Sequence, residues 1–326
     1  MTDARTSRPA ALLSRFGADR VRAGVGLAPF TTFKVGGPAE WLFEPRSAEE
    51  VVEALRLAAH DAVRVSILGG GSNVLVGDLG GRGLVIRPRG RHIERAAADL
   101  VRAEAGVTVN GLVRWTITHG LAGLERWAGT PGTIGGGVVG NAHFDGCLLG
   151  DLVDVVRVVT LNGAISDLRQ AELEFGYDRS RLQRTREVLL WAEFRVAPGD
   201  ADLLRERARA SLRYRKHTQP LDTPSAGCIF QNPDPAAVSL PAGVPAAAGA
   251  LVDRAGLKGR RIGRAVVSRT HANFILNEGG ATARDIRQLI AACQRAVRAR
   301  FGVELREEIV YLGEFGEQDE GPCPLY

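Results

Sequence analysis

Hydrophobic and polar residues follow one another in the first part of the chain in a pattern that predicts a βαβ unit. Residues 40–44 (EWLFE) predict a strand, and residues 47–50 (SAEE) have the capping-box pattern that opens a helix to about His60. Residues 63–68 predict a second strand, and residues 84–87 predict a further one. Helix and strand periods therefore alternate as they do when a helix crosses between strands.

The rest of the chain continues as a mixture of helices and strands. Asn110 is predicted to cap a helix that ends at about His119. A helix is predicted at residues 282–300 with its apolar residues on one face, and we expect Cys293 on that face to lie in the core. Further strands are predicted at residues 153–161, 188–196, 227–231 and 303–312, and further helices at residues 202–216 and 248–255. This order predicts an α+β fold.

Two glycine-rich segments stand out in the first half of the chain. Residues 68–75 read LGGGSNVL directly after a predicted strand, and residues 129–137 read GTPGTIGGG. Backbone amides without side chains around them can close on a phosphate group, and two such loops favour one extended ligand with a diphosphate. No GxGxxG fingerprint opens the capped helix, so a Rossmann domain is disfavoured. A tight turn without a ligand is the alternative for either cluster taken alone.

The composition is that of a globular protein of two or three domains, with 326 residues and a net charge of +5. The dense basic run at residues 205–216 alternates Arg with Ala and Leu at helical spacing, which predicts a solvated helix face and disfavours nucleic acid. A charged N-terminus and the absence of a long apolar run predict neither export nor a membrane span. The cysteines lack the spacing of a zinc site or a disulfide framework, which favours the reduced cytoplasm; they are Cys147, Cys228, Cys293 and Cys323.

Six segments, in this order, resemble one protein family. They are residues 31–37 (TTFKVGG), 68–75, 129–142, 175–180 (FGYDRS), 225–233 (SAGCIFQNP) and 268–277. Together they are similar to the bacterial UDP-N-acetylenolpyruvoylglucosamine reductases, which form UDP-N-acetylmuramate for peptidoglycan synthesis. The resemblance implies an α+β fold with a two-lobed FAD-binding domain of the vanillyl-alcohol-oxidase/PCMH type and a C-terminal α+β substrate-binding domain. We expect FAD-binding lobes at residues 1–95 and 96–199, the substrate-binding domain at 200–313 and a flexible acidic tail at 314–326.

The resemblance also implies FAD as the flavin, NADPH as the hydride source and a set of binding residues. The FAD-binding residues that it implies are Thr32, Gly69, Gly70, Gly71, Ser72, Asn73, Gly129, Thr130, Gly132, Thr133, Asn141 and Ala142. Asn232 and Lys258 would bind the diphosphate of the substrate, although a helix cap or a solvated loop is the plain alternative for each. We expect a monomer that binds the enolpyruvyl sugar nucleotide and NADPH but neither nucleic acid nor a membrane.

Reduction of an enol ether needs a hydride donor, a group that stabilises the developing enolate and an acid. The family acid is usually a serine in Ser-Ala-Gly-Ser, and this chain has Cys228 at that place, so the resemblance implies Cys228 as the proton donor. A thiol with a reference pKa of about 8.5 is a stronger acid than an alcohol. The alternative for Cys228 is a small buried hydrophobic residue. The resemblance also implies Glu308, in the last strand, as catalytic, whereas pattern alone makes it a solvated strand residue.

The third catalytic residue departs from the family pattern, which has Arg directly after Phe-Gly-Tyr. This chain has Asp178 there and Arg179 next. The resemblance implies Arg179 as the cation, and Arg181 is the alternative. His143 stands where the family generally has a smaller residue, and it either packs near the flavin or titrates.

Two other functions remain open on the sequence. One is a noncovalent FAD-dependent oxidase or dehydrogenase of the same fold with another small substrate, and the other is a catalytically silent nucleotide-sugar binder. Oxidases of this type often tether the flavin to a His in the first loop, and residues 68–75 contain none, which favours the reductase.

Overall fold

The computed structural model describes residues 8–316, and in it the chain forms two compact units, each assembled from separate segments. Within the described residues, unit 1 comprises the segment up to Val25, Ala39–Gly70 and Arg82–Tyr214. Unit 2 comprises Gly26–Pro38, Gly71–Gly81 and the segment from Arg215 onward. The predicted division into three consecutive domains and a tail stays a prediction. Cys323 and most of the predicted tail lie outside the described residues.

The described helices and strands are as follows. The helices are α1 Ala10–Phe16, α2 Ala48–His60, α3 Val109–Thr118, α4 Ile134–Val139, α5 Leu182–Thr185, α6 Ala201–Thr218, α7 Ala248–Arg254 and α8 Ala283–Phe301. The strands are β1 Val21–Gly26, β2 Pro38–Phe43, β3 Val65–Ile67, β4 Val74–Val76, β5 Gly81–Ile86, β6 Ile93–Ala97, β7 Leu100–Glu104, β8 Leu121–Ala122, β9 His143–Phe144, β10 Cys147–Leu148, β11 Val153–Val159, β12 Ile165–Arg169, β13 Val188–Arg195, β14 Ala197–Pro198, β15 Arg261–Ile262, β16 Ala265–Val267, β17 Ile275–Asn277 and β18 Val310–Leu312.

The first sheet of unit 1 contains the βαβ unit that the sequence predicts. Its strand order is β1-β2-β5-β3, and β3 runs parallel to β5 with Val65 opposite Leu84. Ser47 is the N-cap of α2, and its hydroxyl accepts a hydrogen bond from the amide of Glu50 at 3.3 Å. The carboxylate of Glu50 accepts from the amide of Arg46 at 2.7 Å, so the predicted capping box of Ser47 with Glu50 is not closed. The helix buries Leu55 in one core with Leu84 and the neighbouring strands. The strand β3 therefore delivers the chain directly to the first glycine segment.

The second sheet of unit 1 is antiparallel, in the order β12-β11-β13-β7-β6. It confirms the strands predicted at residues 153–161 and 188–196, and it shares a core with α3 and α4. The prediction that Asn110 caps α3 is wrong, because the cap is Thr108, whose hydroxyl accepts from the amide of Gly111 at 3.0 Å. Asn110 is the second residue of the helix and uses its side chain elsewhere, as described below.

Unit 2 is built around α8, the antiparallel sheet β15-β16-β17 and the parallel pair of β4 with β18. The amide of Asp285 donates to the Thr282 hydroxyl at 3.0 Å, and the Thr282 amide donates to the Asp285 carboxylate at 3.1 Å, which closes a capping box. Cys293 is 1% exposed on the buried face of α8, and its burial raises the pKa of the thiol to about 12. The prediction that Cys293 is a core residue is confirmed.

Two predicted strands of unit 2 are shorter than expected. Residues 227–231 form only an isolated bridge from Phe230 to Glu307, and the last strand is limited to Val310–Leu312. Asn273 takes the place of a partner strand, because its carbonyl oxygen accepts from the Ile229 amide at 2.8 Å and its side-chain oxygen accepts from the Phe230 amide at 2.9 Å. Within residues 8–316, no helix combines the length and hydrophobicity needed to cross a membrane.

Candidate active site

The two glycine segments meet in unit 1. A Cβ atom at Gly69 would lie 2.7 Å from Oγ1 of Thr133, and one at Gly70 would lie 2.6 Å from Cα of Gly132. Both distances are too short for any side chain, so glycine is required where the loops touch. Among the described residues, no group accepts a hydrogen bond from the backbone amides of Gly69, Gly70, Gly132 or Thr133. The two loops thus form one cradle of available amides, which we call the amide cradle.

Asn110 holds the second loop of the amide cradle. Its side-chain oxygen accepts from the amide of Gly129 at 2.6 Å, and its side-chain nitrogen donates to the carbonyl oxygen of Thr130 at 3.1 Å. The amide of Val109 adds a bond to the carbonyl oxygen of Gly132 at 3.1 Å. The start of α3 therefore fixes the loop from Gly129 to Gly132. The sequence alone did not reveal this role, because Asn is a favoured helix cap and residue 110 was predicted to be one.

The remaining residues of the first loop belong to unit 2. Gly71 has a φ of +63°, and a Cβ atom there would lie 2.2 Å from the carbonyl oxygen of Phe30. The amide and the hydroxyl of Thr32 both donate to the Gly71 carbonyl oxygen, at 3.0 and 3.3 Å. The side-chain amide of Asn73 donates to the carbonyl oxygen of Glu308 at 3.0 Å. Ser72, between them, is half-buried.

The end of α4 is tied to the segment that contains the predicted catalytic Arg. Asn141 is fully buried, with a φ of +45°, and its side chain donates to the Gly176 carbonyl oxygen at 2.7 Å and accepts from the Gly150 amide at 2.8 Å. The Ser180 hydroxyl donates to the Val139 carbonyl oxygen at 2.6 Å. The amide of Ala142 donates to the carbonyl oxygen of Gly137 at 2.7 Å. Asn141 is therefore a structural brace in this fold, and its predicted contact with FAD stays a prediction.

In the turn at residues 176–179, Asp178 is half-buried and Arg179 is exposed. The carboxylate of Asp178 lies 2.8 Å from Nδ1 of His143, and the ring of His143 lies 4.7 Å from that of Tyr177. Arg179 is exposed, with its guanidinium lying against Gly176 of its own turn. Arg181, the alternative cation, forms an ion pair of 3.2 Å with Glu187.

Cys228 and Glu308 come together in unit 2 through their backbones. Ile229 follows Cys228 in the chain, and its carbonyl oxygen accepts a hydrogen bond of 2.8 Å from the amide of Glu308. Cys228 itself is half-buried between the buried residues Ala226 and Ile229, and Glu308 is also half-buried. Asn273 fixes the extended segment next to Cys228, because its side chain both accepts from and donates to the backbone of Phe230, at 2.9 and 2.7 Å. A thiol and a carboxylate are thereby held on neighbouring backbone segments.

The predicted substrate residues Asn232 and Lys258 have partners in unit 2. The Asn232 side-chain oxygen accepts from the Ala248 amide at 2.9 Å, which is the first amide of α7. Lys258 lies 2.7 Å from Asp253. Burial, together with the nearby charge of Lys258, lowers the pKa of His271 below its usual range. The ammonium group of Lys258 and the ring of His271 therefore belong to one neighbourhood.

Two family profiles match this chain and divide it at the features just described. A profile described as "FAD binding domain" matches residues 39–169, which include the amide cradle. A profile described as "UDP-N-acetylenolpyruvoylglucosamine reductase, C-terminal domain" matches residues 219–312, which include Cys228 and Glu308. Fold and site together define an FAD-dependent oxidoreductase.

Relatives along nearly the whole chain specify the family. The chain is 41% identical to the UDP-N-acetylenolpyruvoylglucosamine reductase of Synechococcus sp. (strain CC9605), over 90% of this chain and 95% of the relative. It is 37% identical to that of Carboxydothermus hydrogenoformans, over 88% and 92%. The crystal structure of the reductase from Thermus caldophilus superimposes with a TM-score of 0.75 at 32% identity, and covers 90% of this chain and 99% of that one. The chain belongs to the UDP-N-acetylenolpyruvoylglucosamine reductase family.

These findings confirm the predicted family and the predicted α+β fold with an FAD-binding domain and a C-terminal reductase domain. They also confirm an FAD-dependent reductase that uses FAD and NADPH. The roles predicted for individual residues are a separate matter and remain predictions.

Proposed function

We propose that this protein reduces UDP-N-acetylglucosamine enolpyruvate to UDP-N-acetylmuramate, and that Cys228 is its proton donor. FAD held by the amide cradle would supply the hydride chemistry, in which a hydride from NADPH reaches the β-carbon of the enolpyruvyl group. The α-carbon then needs a proton, and the chain must supply it. The thiol of Cys228 gives that proton, and the resulting thiolate is reprotonated from solvent before the next turnover.

The amide cradle supports the binding of FAD. Its four unpartnered amides can donate to diphosphate oxygens, and the required glycines let the backbone approach the ligand closely. A Cβ atom at Gly69 or Gly70 would fill the space in which the loops meet. We assign the diphosphate of FAD to this cradle, with Gly69 and Gly70 on the first loop and Gly132 and Thr133 on the second, because the amides of Gly129 and Thr130 already donate to Asn110 and Trp127.

The observation that carries the catalytic proposal is the bond of 2.8 Å from the Glu308 amide to the Ile229 carbonyl oxygen. It fixes the distance between the segments that bear Cys228 and Glu308, while the bond from Asn73 to the Glu308 carbonyl oxygen supports the second segment. Positioned groups of this kind contribute most to proton transfer, because the acid must already lie within hydrogen-bond reach of the reacting carbon. Glu308 acts beside the thiol, at the carboxylate region of the enolate or in relaying the proton.

Lys258 and Asn232 serve the nucleotide part of the substrate. The ammonium group of Lys258 is a mobile charge suited to a diphosphate, and its pairing with Asp253 is partly exposed, so it can exchange that partner for phosphate. Asn232 acts through α7, because its side chain caps the first amide of that helix. We assign the protein to the cytoplasm as a monomer, without nucleic-acid or membrane partners, and we retain the three-domain division at residues 95, 199 and 313.

The test separates the two half-reactions by anaerobic stopped-flow absorbance of the flavin. Cys228→Ala should leave reduction of the flavin by NADPH unchanged while slowing its reoxidation by the enolpyruvyl sugar by about 100-fold or more. Cys228→Ser should retain much of the second rate, since a hydroxyl can donate the same proton. Cys147→Ala is the matched control, because Cys147 is also half-buried and accepts a contact from Arg126 at 3.1 Å.

Reoxidation of the Cys228→Ala flavin within a few fold of the wild-type rate would remove Cys228 from the mechanism. A second arm uses iodoacetamide, which should inactivate the wild type more slowly when the enolpyruvyl sugar is bound. Equal inactivation with and without the sugar would place the reactive thiol outside the substrate site.

A further inference from the structure

Unit 1 contains a cavity whose walls are mostly arginine. The cavity has a volume of about 300 Å³, and it is lined by Asp19, Arg20, Arg22, Glu44, Arg46 and Arg89. Four guanidinium groups therefore share this space with two carboxylates. We call it the arginine pocket, and none of its residues belongs to the amide cradle or to the groups proposed for catalysis.

The arginine pocket lies where strands of the first sheet end. The amide of Arg87 donates to the Phe43 carbonyl oxygen at 2.9 Å, and the amide of Arg89 donates to the Pro45 carbonyl oxygen at 2.7 Å. The segments that follow β2 and β5 thus continue side by side beyond the two strands. Strand β5 is also parallel to β3, which leads into the first glycine segment. In open sheets with parallel strands, ligands bind outside the carboxyl ends of the strands, and the arginine pocket is at such an edge.

One carboxylate in the arginine pocket serves three arginines. Glu44 lies 2.7 Å from both Arg22 and Arg87, but 4.0 Å from Arg89. Within residues 8–316, the guanidinium of Arg89 donates no hydrogen bond. Burial, together with the nearby charges of Arg87 and Arg91, lowers the pKa of Arg89 below its usual range, and the charge of Glu44 offsets this effect only in part. Positive charge is therefore in excess around Arg89.

Arg46 adds a second uncommitted guanidinium to the arginine pocket. Its backbone amide donates to the Glu50 carboxylate at 2.7 Å, but its side chain forms no ion pair or hydrogen bond with the described part of the chain. Arg20, by contrast, is fixed by two bonds to Glu50, at 2.9 and 2.7 Å. An isolated exposed arginine is usually only solvated, whereas two uncommitted guanidinium groups here line one concave space. Each can bind a phosphate group through two parallel N–H bonds.

We propose that the arginine pocket binds a small ligand that carries a diphosphate, in addition to the FAD held by the amide cradle. Arg46 and Arg89 donate to the phosphate oxygens, and the bound anion supplies the negative charge that the shared Glu44 does not. The volume of the pocket is at the lower end of the range for small-molecule sites, which favours a compact phosphorylated ligand over a dinucleotide. This site goes beyond the proposed function and does not depend on it.

The test is isothermal titration calorimetry of the FAD-loaded protein with inorganic pyrophosphate in a buffer free of phosphate. The wild type should bind pyrophosphate saturably, with an affinity that falls as the salt concentration rises. The double variant Arg46→Gln with Arg89→Gln should bind it about 30-fold more weakly, because both guanidinium groups are lost. Arg91→Gln is the matched control, since it removes an exposed charge two residues from Arg89 that does not line the pocket. Its affinity for pyrophosphate should stay within about threefold of the wild type.

Two more variants locate the bound pyrophosphate. Arg46→Gln alone should keep the thermal unfolding midpoint, because this exposed side chain has no ion pair to lose, and should still weaken binding by about fivefold. Lys258→Gln should keep the site, although Lys258 is assigned to the diphosphate of the substrate.

Three results would overturn the proposal. One is the absence of saturable binding of pyrophosphate to the wild type up to about 10 mM. Another is binding that Lys258→Gln removes and the double variant keeps, which would place the anion in the substrate site. The third is equal weakening by Arg91→Gln and by the double variant, which would show that pyrophosphate responds only to the net charge of the surface.

Discussion

Asn110 is the residue whose loss should most directly weaken FAD binding without touching the cofactor. Asn110→Ala removes the bond of 2.6 Å to the Gly129 amide and the bond of 3.1 Å to the Thr130 carbonyl oxygen. Each such hydrogen bond contributes about 0.5–1.5 kcal/mol, so the pair contributes about 1–3 kcal/mol to the order of the second loop. If the loop must be ordered to bind the diphosphate, the dissociation constant of FAD rises by about 5- to 150-fold.

The assay is a titration of apoprotein with FAD, followed by quenching of flavin fluorescence. Thr108→Ala is the matched control, because Thr108 caps the same helix through the Gly111 amide and its loss costs about 1 kcal/mol of stability while leaving the Asn110 contacts in place. We expect Thr108→Ala to lower the unfolding midpoint with little change in FAD affinity. An Asn110→Ala protein that binds FAD within twofold of the wild type would refute the argument that this side chain orders the cradle.

Two further predictions concern the first loop. Gly70→Ala would bring a Cβ atom to 2.6 Å from Cα of Gly132, so the loops must separate and FAD affinity should fall by about tenfold or more in the same titration. Gly26→Ala is the control, because a Cβ atom there has nothing within 4 Å and FAD affinity should not change. Equal FAD affinities for the two variants would contradict the close approach of the loops. Asn73→Ala removes the bond of 3.0 Å to the Glu308 carbonyl oxygen. Reoxidation of the flavin by the substrate should slow by about tenfold, while reduction of the flavin by NADPH keeps its rate. An effect confined to FAD affinity would show that Asn73 serves the cofactor instead.

Local signals in the sequence predicted those parts of the fold that depend on neighbouring residues. Ser47 caps the helix that its pattern indicates, the helix predicted at residues 282–300 forms at Ala283–Phe301, and the apolar face of that helix buries Cys293 as its spacing requires. The two glycine loops were also recognisable in the sequence, because a close approach of two backbones requires clusters of glycine that few other structures require. The family assignment followed from the order of such segments and is confirmed.

The parts that sequence did not predict depend on contacts between distant residues. Asn273 replaces a strand partner for residues 229 and 230, and no alternation in those residues could announce a side chain from elsewhere in unit 2. Asn110 carries two possible signals, a cap and a loop brace, and only the fold decides between them. The meeting of His143 with Asp178 likewise requires the turn geometry, although both residues could be flagged as departures from the family pattern.

The glycine loop after β3 changes unit between Gly70 and Gly71, and each half is anchored on its own side. In unit 1, Gly70 packs against Gly132, and in unit 2 the side chain of Asn73 donates a hydrogen bond to the carbonyl oxygen of Glu308. Only Gly71 and Ser72 separate Gly70 from Asn73, so adding or deleting a single amino acid between them would displace at least one of these two contacts. We therefore expect this loop to tolerate substitutions better than changes in its length. A library of single-residue insertions along the gene should contain few functional variants in this loop.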